Sequence, residues 1–133
     1  MSVNLNALKQ YQSVDLRATV ETASPHKMVS MLFSGALSEL AKAKGCCERG
    51  DIEGRSAAVN KASDIIVGLK GCLDLEQGGE VAQNLNELYD YSIRQLYLAN
   101  KENNSDVVQE VINLISEVSD GWNGMPVEYK VGE

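Results

Sequence analysis

From Pro25 to Pro126, the only two prolines in the sequence, the chain carries no proline. Every backbone N–H in that stretch is therefore available to a helical hydrogen bond, and no ring kinks the chain. The stretch is interrupted at three places only, ERGD (48–51), EQGG (76–79) and NKENNSD (100–106). The segments between these breaks are long, and each repeats its apolar residues at a helical period. Strand-like alternation does not compete anywhere along them.

The first helix is expected to start at Ser24 as N-cap, with Pro25 at the first helical position, and to run to about Arg49, where Gly50 stops it. Val29, Leu32, Phe33, Ala36, Leu40, Ala43 and Cys47 share one face; Ser30, Ser34, Ser38 and Lys42 share the other. Asp51 caps a second helix that runs to about Glu76, with Ala58, Ala62, Ile65, Leu69 and Leu73 as its stripe and Ile66 and Cys72 at the edges. The third helix follows Gly78–Gly79 and carries Val81, Leu85, Leu88, Ser92, Leu96 and Ala99. The fourth starts near Ser105 and carries Val108, Val111, Ile112, Ile115, Val118 and Trp122. Three of these helices are about 35 Å long at 1.5 Å per residue. Short connections make sequential helices antiparallel. The expected fold is all-α, an antiparallel up-down four-helix bundle over residues 22–122. Residues 1–21 form an N-terminal extension outside the bundle pattern, and residues 123–133 a loose C-terminal tail.

A chain of 133 residues suits one domain with a core that needs neither disulfide nor metal. Its formal charge of −7, with no basic cluster, disfavours nucleic acid and anionic membrane surfaces. No apolar run approaches the roughly 18 residues of a membrane span, so membrane insertion is not expected. The start, MSVNLNALKQYQ, lacks the features of a secretory signal, which points to the cytoplasm. Cys46, Cys47 and Cys72 lack metal-ligand spacing and read as small buried thiols in a reducing compartment. No cofactor is expected.

His26 is the sole histidine. A helical bundle with one histidine raises the alternative of a phosphotransfer signalling domain with His26 as phosphoacceptor. That chemistry needs an exposed mid-helix imidazole and a nearby cation. His26 instead falls in the first helical turn, and Lys27 points elsewhere, so a surface residue at a helix start is the better reading. A di-iron bundle needs Glu-x-x-His pairs, which one histidine cannot supply. Glu76, Glu80 and Glu87 read as solvated carboxylates. Nucleophilic catalysis lacks a base, and Gly78–Gly79 follows no strand, so a phosphate loop is a poor reading. An enzyme is not expected.

Surplus apolar residues are more informative. Tyr91 and Leu98, seven apart, lie off the Leu85–Leu88–Leu96 stripe; Val67 points away from Ile65 and Leu69; Val59 lies beyond the stripe's edge; Leu114 flanks the fourth stripe. Outward apolar residues on neighbouring helices can form a groove for a partner's apolar face.

YQSVDLRATVETASPHKMVSMLFSGAL (Tyr11–Leu37), GDIEGRSAAVNKASDII and GCLDLEQGGEVAQNLNELYDYSIRQLYLAN (Gly71–Asn100) together resemble the flagellar secretion chaperone FliS family over residues 11–122. The combination of Y-Q, T-A-S-P, L-D-x-E-x-G-G-E and N-L-x-x-L-Y-x-Y carries the specificity. Met28 stands where the family usually has leucine and Phe33 where it has tyrosine; Cys46–Cys47 lies outside the pattern. The resemblance implies a helical bundle. It also implies a cytoplasmic chaperone that binds the disordered C-terminal region of flagellin, prevents premature polymerisation and assists delivery to the type III export apparatus. Tyr11 and Gln12 match the family's Y-Q, and the N-terminal segment is implied as a movable cover. With Tyr11 carried over, the expected client-binding residues are Tyr11, Val59, Val67, Tyr91, Leu98 and Leu114. An export-gate component or an anti-sigma factor stands open as a further partner.

Overall fold

The computed structural model describes residues 25–124. Ser24, Tyr11 with the rest of the N-terminal extension, and the tail from residue 125 lie outside the described residues. Four helices occupy the described chain: α1 (Pro25–Arg49), α2 (Ile52–Gly71), α3 (Gly79–Glu102) and α4 (Ser105–Gly124).

Gly50 ends α1 with φ +72°, a left-handed conformation that costs other L-residues energy. Asp51 caps α2, its carboxylate accepting from the Gly54 N–H at 3.0 Å. α2 stops at Gly71, about five residues before the expected end at Glu76. There Asp74 competes with the helix: its Oδ1 accepts from the N–H groups of Glu76 (3.1 Å) and Gln77 (3.0 Å). A short carboxylate side chain offering local acceptors favours a turn over a continued helix. Asn103, left-handed at φ 52°, ends α3, and Asn104 caps α4 through the Asp106 and Val107 N–H groups.

Side-chain bonds fix the helix directions. Early α1 meets late α4 through Ser30 and Asn123 (2.9 Å), and late α1 meets early α4 through Lys44 and Gln109 (2.8 Å). Early α2 meets late α3 through Arg55 and Asn100 (2.8 Å), and late α2 meets the middle of α3 through Lys70 and Asp90 (2.7 Å). Each helix thus runs against its neighbours, and the bundle closes in the order α1–α2–α3–α4, with α4 returning to α1. α1 packs most extensively, chiefly on α2; α3 is held least on both of its sides.

The expected α1 face is buried residue for residue. On α2 the buried face is wider than the expected stripe. Ile66 and Cys72 are inside, and so is Val59, only 3% exposed. The reason is that α2 is flanked by both α1 and α3, so it buries adjoining stripes, 58–62–65–69 and 59–66, rather than one. On α3 the expected Val81 is 62% exposed, while Ala82 and Tyr89 are buried. Positions 82, 85, 89, 92, 96 and 99 step by three and four, the spacing of a bundle seam. Val81 falls outside that register. α4 buries Val108, Val111, Ile115 and Ser119, with Ile112, Val118 and Trp122 packed at the margin.

Candidate functional site

The residues expected to form one outward groove divide among three places. Val59 lies in the core, so its expected outward position is corrected. Val67, 40% exposed, stands one turn before Lys70, on the flank where α2 meets α3 through Asp90. Tyr91 and Leu114 lie on the opposite flank of α3, against α4. There the Tyr91 hydroxyl donates to Glu110 at 2.9 Å, and the Gln95 amide donates to the other Glu110 oxygen at 3.3 Å. Leu114 follows Glu110 by one turn and is half-buried. Leu98, 40% exposed, follows Gln95 by three positions and looks out along the same flank.

A second three-and-four stripe on α3 explains this flank. Val81, Asn84, Leu88, Tyr91, Gln95 and Leu98 run beside the buried register, displaced from it by one residue. Val107, Glu110, Leu114 and Glu117 form its counterpart on α4. The result is a seam with apolar walls, bridged at its surface by the Tyr91–Glu110 bond. That bond raises the Tyr91 pKa above its ordinary value, because the hydroxyl proton is shared with a carboxylate and ionisation would set two anions side by side.

Two features were not anticipated. Glu110 bridges the helices, although an exposed carboxylate carries no periodic signal. Tyr97, 69% exposed, adds an aromatic to the outer surface of α3; its spacing outside the 82–99 register was the available signal.

His26 is half-buried rather than a free surface residue. Its ring stacks on Trp122, with centroids 5.5 Å apart and planes 19° apart. The Trp122 indole N–H donates to Ser30 Oγ at 3.2 Å. An imidazole packed on an indole is not the exposed phosphoacceptor that phosphotransfer needs. All three cysteines are buried free thiols, and burial pushes Cys72 up to about 12. A groove of about 610 Å³ runs between α1 and α2, lined by Lys42, Gly45, Cys46, Arg49, Gly54 and Lys61 among others. It gathers none of the expected site residues. Among the described residues, no group of His, Cys, Asp and Glu could hold a metal ion, and no helix is long and apolar enough to cross a membrane.

Comparison with known proteins adds a family. The profile of "Flagellar protein FliS" matches residues 7–128. The flagellar secretion chaperone FliS of Salmonella typhimurium is 44% identical over 118 residues, 88% of this chain and 87% of the relative. The flagellar secretion chaperone FliSB of Pseudomonas aeruginosa is 43% identical over 121 residues, 91% of this chain and 96% of the relative. FliS of Vibrio cholerae is 37% identical over 123 residues, 92% and 90% respectively. These relatives are named as chaperones, not as enzymes. A four-helix bundle with apolar residues left on its outer surface, matched along nearly its whole length by these proteins, belongs to the FliS family of flagellar secretion chaperones.

Proposed function

We propose that this chain acts in the cytoplasm, binds the disordered C-terminal region of flagellin, prevents its premature polymerisation and assists its delivery to the flagellar type III export apparatus. The observation that carries this reading is the apolar surface around α3: Val67, Val81, Tyr97 and Leu98 are exposed, and Leu114 is partly so. A disordered client loses about 1–2 kcal/mol of backbone entropy per residue ordered. Burial of apolar area returns about 25 cal/mol per Å², so the client needs a long apolar track, and both flanks of α3 supply one. Holding a segment needs no work cycle, hence no nucleotide.

The proposed contacts are Tyr11, Val67, Tyr91, Leu98 and Leu114, with the segment bearing Tyr11 acting as a cover in the free protein. Val59 is not among them, because its side chain is committed to the core. The test is calorimetric titration with a purified flagellin C-terminal fragment. Saturable binding is expected; a folded protein that gives no binding heat at two temperatures overturns the reading. Competition in the same titration by an export-gate component or an anti-sigma factor tests whether further partners share the surface.

A further inference from the structure

The charges of the bundle are sorted across it. α4 carries Asp106, Glu110, Glu117 and Asp120 and neither lysine nor arginine. α3 adds Glu80, Glu87, Asp90 and Glu102 against Arg94 and Lys101. α1, by contrast, carries Lys27, Lys42, Lys44 and Arg49 against Glu39 and Glu48. Helix stability does not ask for this. The last turn of α4 lacks a basic residue, where the helix dipole favours one.

Glu102, Glu110 and Glu117 border the α3–α4 seam, where Arg94 is the cation near Tyr91; Asp90 instead faces α2 through Lys70. Glu110 already sits over it, held by Tyr91 and Gln95. Glu117 repeats the position two turns on, and Glu102 closes the far end of the α3 stripe. Between them lie Leu88, Tyr91, Leu98 and Leu114. An apolar track with an acidic rim is complementary to one chemistry, an amphipathic segment carrying lysine or arginine beside its apolar residues.

We propose that the α3–α4 seam takes a cationic amphipathic stretch of the client, whose apolar residues enter between Leu88, Leu98 and Leu114 while a lysine or arginine replaces Tyr91 and Gln95 as the partner of Glu110. This rests on the reading that flagellin is the client. Two-fold pairing of a second copy through the seam is disfavoured, since the seam would meet its own carboxylates. The chain's own flanking segments bring no excess positive charge: Lys9 and Arg17 are matched by Asp15 and Glu21 before α1, and Lys130 lies between Glu128 and Glu133 after α4.

The test is calorimetric titration of the full chain with the flagellin C-terminal fragment at low and high salt. It uses the wild type, Glu110→Gln, the double variant Glu110→Gln/Glu117→Gln, and a fragment whose lysines and arginines are replaced by glutamine. Glutamine can still accept from Tyr91, so the change removes charge and leaves the fold. For the wild type, affinity falls about tenfold between low and high salt, as charge-steered recognition does. For the double variant, or for the neutralised fragment, affinity at low salt is about tenfold weaker and its salt dependence is lost. If the wild type binds and the variants and the neutralised fragment bind equally well at both salts, this inference is overturned and the flagellin reading stands. If the wild type does not bind the fragment at all, both fall. Sedimentation of the free protein completes the test: a dimer dissociated by Leu98→Glu assigns the seam to a second copy and overturns the proposal.

Discussion

At the scale of single residues, the sequence's sole histidine and sole tryptophan are one device. They come from opposite ends of the described chain and clasp the start of α1 to the end of α4. His26→Ala is expected to lower stability by about 1 kcal/mol, the usual worth of a stacked pair beyond its area. Because Trp122 is the only tryptophan, the variant also shifts its emission, and urea titration followed at the indole reads both effects. Flagellin affinity is expected to stay within about threefold, since the clasp lies apart from the α3 surface; a larger loss would tie His26 to the client. The buried ionisable groups set a limit at high pH. Burial raises Cys72 from its ordinary 9.0 to about 12, and raises Tyr89 well above its ordinary 10.0. Both are neutral in the fold and ionise more easily when unfolded. Their contribution is therefore complete below pH 9 and is lost as pH rises towards the folded value, at about 1.4 kcal/mol per pH unit for each group. Melting temperature against pH should fall with a slope that Tyr89→Phe and Cys72→Ala each make shallower; an unchanged slope in both variants would mean that other groups govern alkaline unfolding.

At the scale of elements, much of the bundle was legible because its punctuation is local chemistry. Gly50, Asp51, Asn103 and Asn104 act where they stand, and the α1 face obeys a single period. The positions that depart from expectation do so for other physical reasons. Val81 is larger and more apolar than Ala82, so hydropathy alone favours it for the α3 core, whereas Leu88 does pack against that core. Yet register, not size, selects Ala82 and Tyr89, and the three-and-four spacing was present to be read. Val59 is buried because α2 is flanked on two sides, which its own sequence does not reveal. The early end of α2 was hidden because Asp74 looks like any helical surface residue until its carboxylate turns back on the chain. That turn has a consequence at Gly78. A Cβ there would lie 2.6 Å from the Asp74 carbonyl oxygen and 2.5 Å from the Ala82 Cβ, so backbone must shift. Gly78→Ala is expected to cost about 1–3 kcal/mol, in the range of overpacking, and chemical denaturation of the purified variant measures it. Hydrogen exchange should find the same weakness without mutation. α3 is held least by its neighbours, so its amides are expected to exchange before those of α1. Slower exchange in α3 than in α1 would show that local packing does not set the order of opening.

At the scale of the whole molecule, the bundle divides its labour between a well-packed α1–α2 side and an α3 that keeps apolar residues outside. The proposed client surface is legible in the sequence only in part, because an outward apolar residue looks alike whether it faces solvent or a third helix. One paired measurement separates the two fates. Val59 and Leu98 are both aliphatic and were both expected to face a client, but the fold buries one and exposes the other to 40%. Val59→Ser removes packed methyls and leaves a hydroxyl in the core, so it should destabilise the protein by about 2–4 kcal/mol. Measured where the variant is still folded, its affinity for the flagellin fragment should stay close to that of the wild type. Leu98→Glu does the reverse. Its carboxylate remains in water in the free protein, so the melting temperature should hardly move. The client must then desolvate that charge on an already acidic flank, and burying an unpaired charge costs several kcal/mol, so affinity should fall by more than tenfold. Thermal melting and calorimetric titration of both variants decide the matter. If Leu98→Glu melts far below the wild type, α3 is packed more tightly than its exposure indicates. If it melts and binds as the wild type does, the client track lies off this part of α3, and Val67 on the opposite flank becomes the next position to charge.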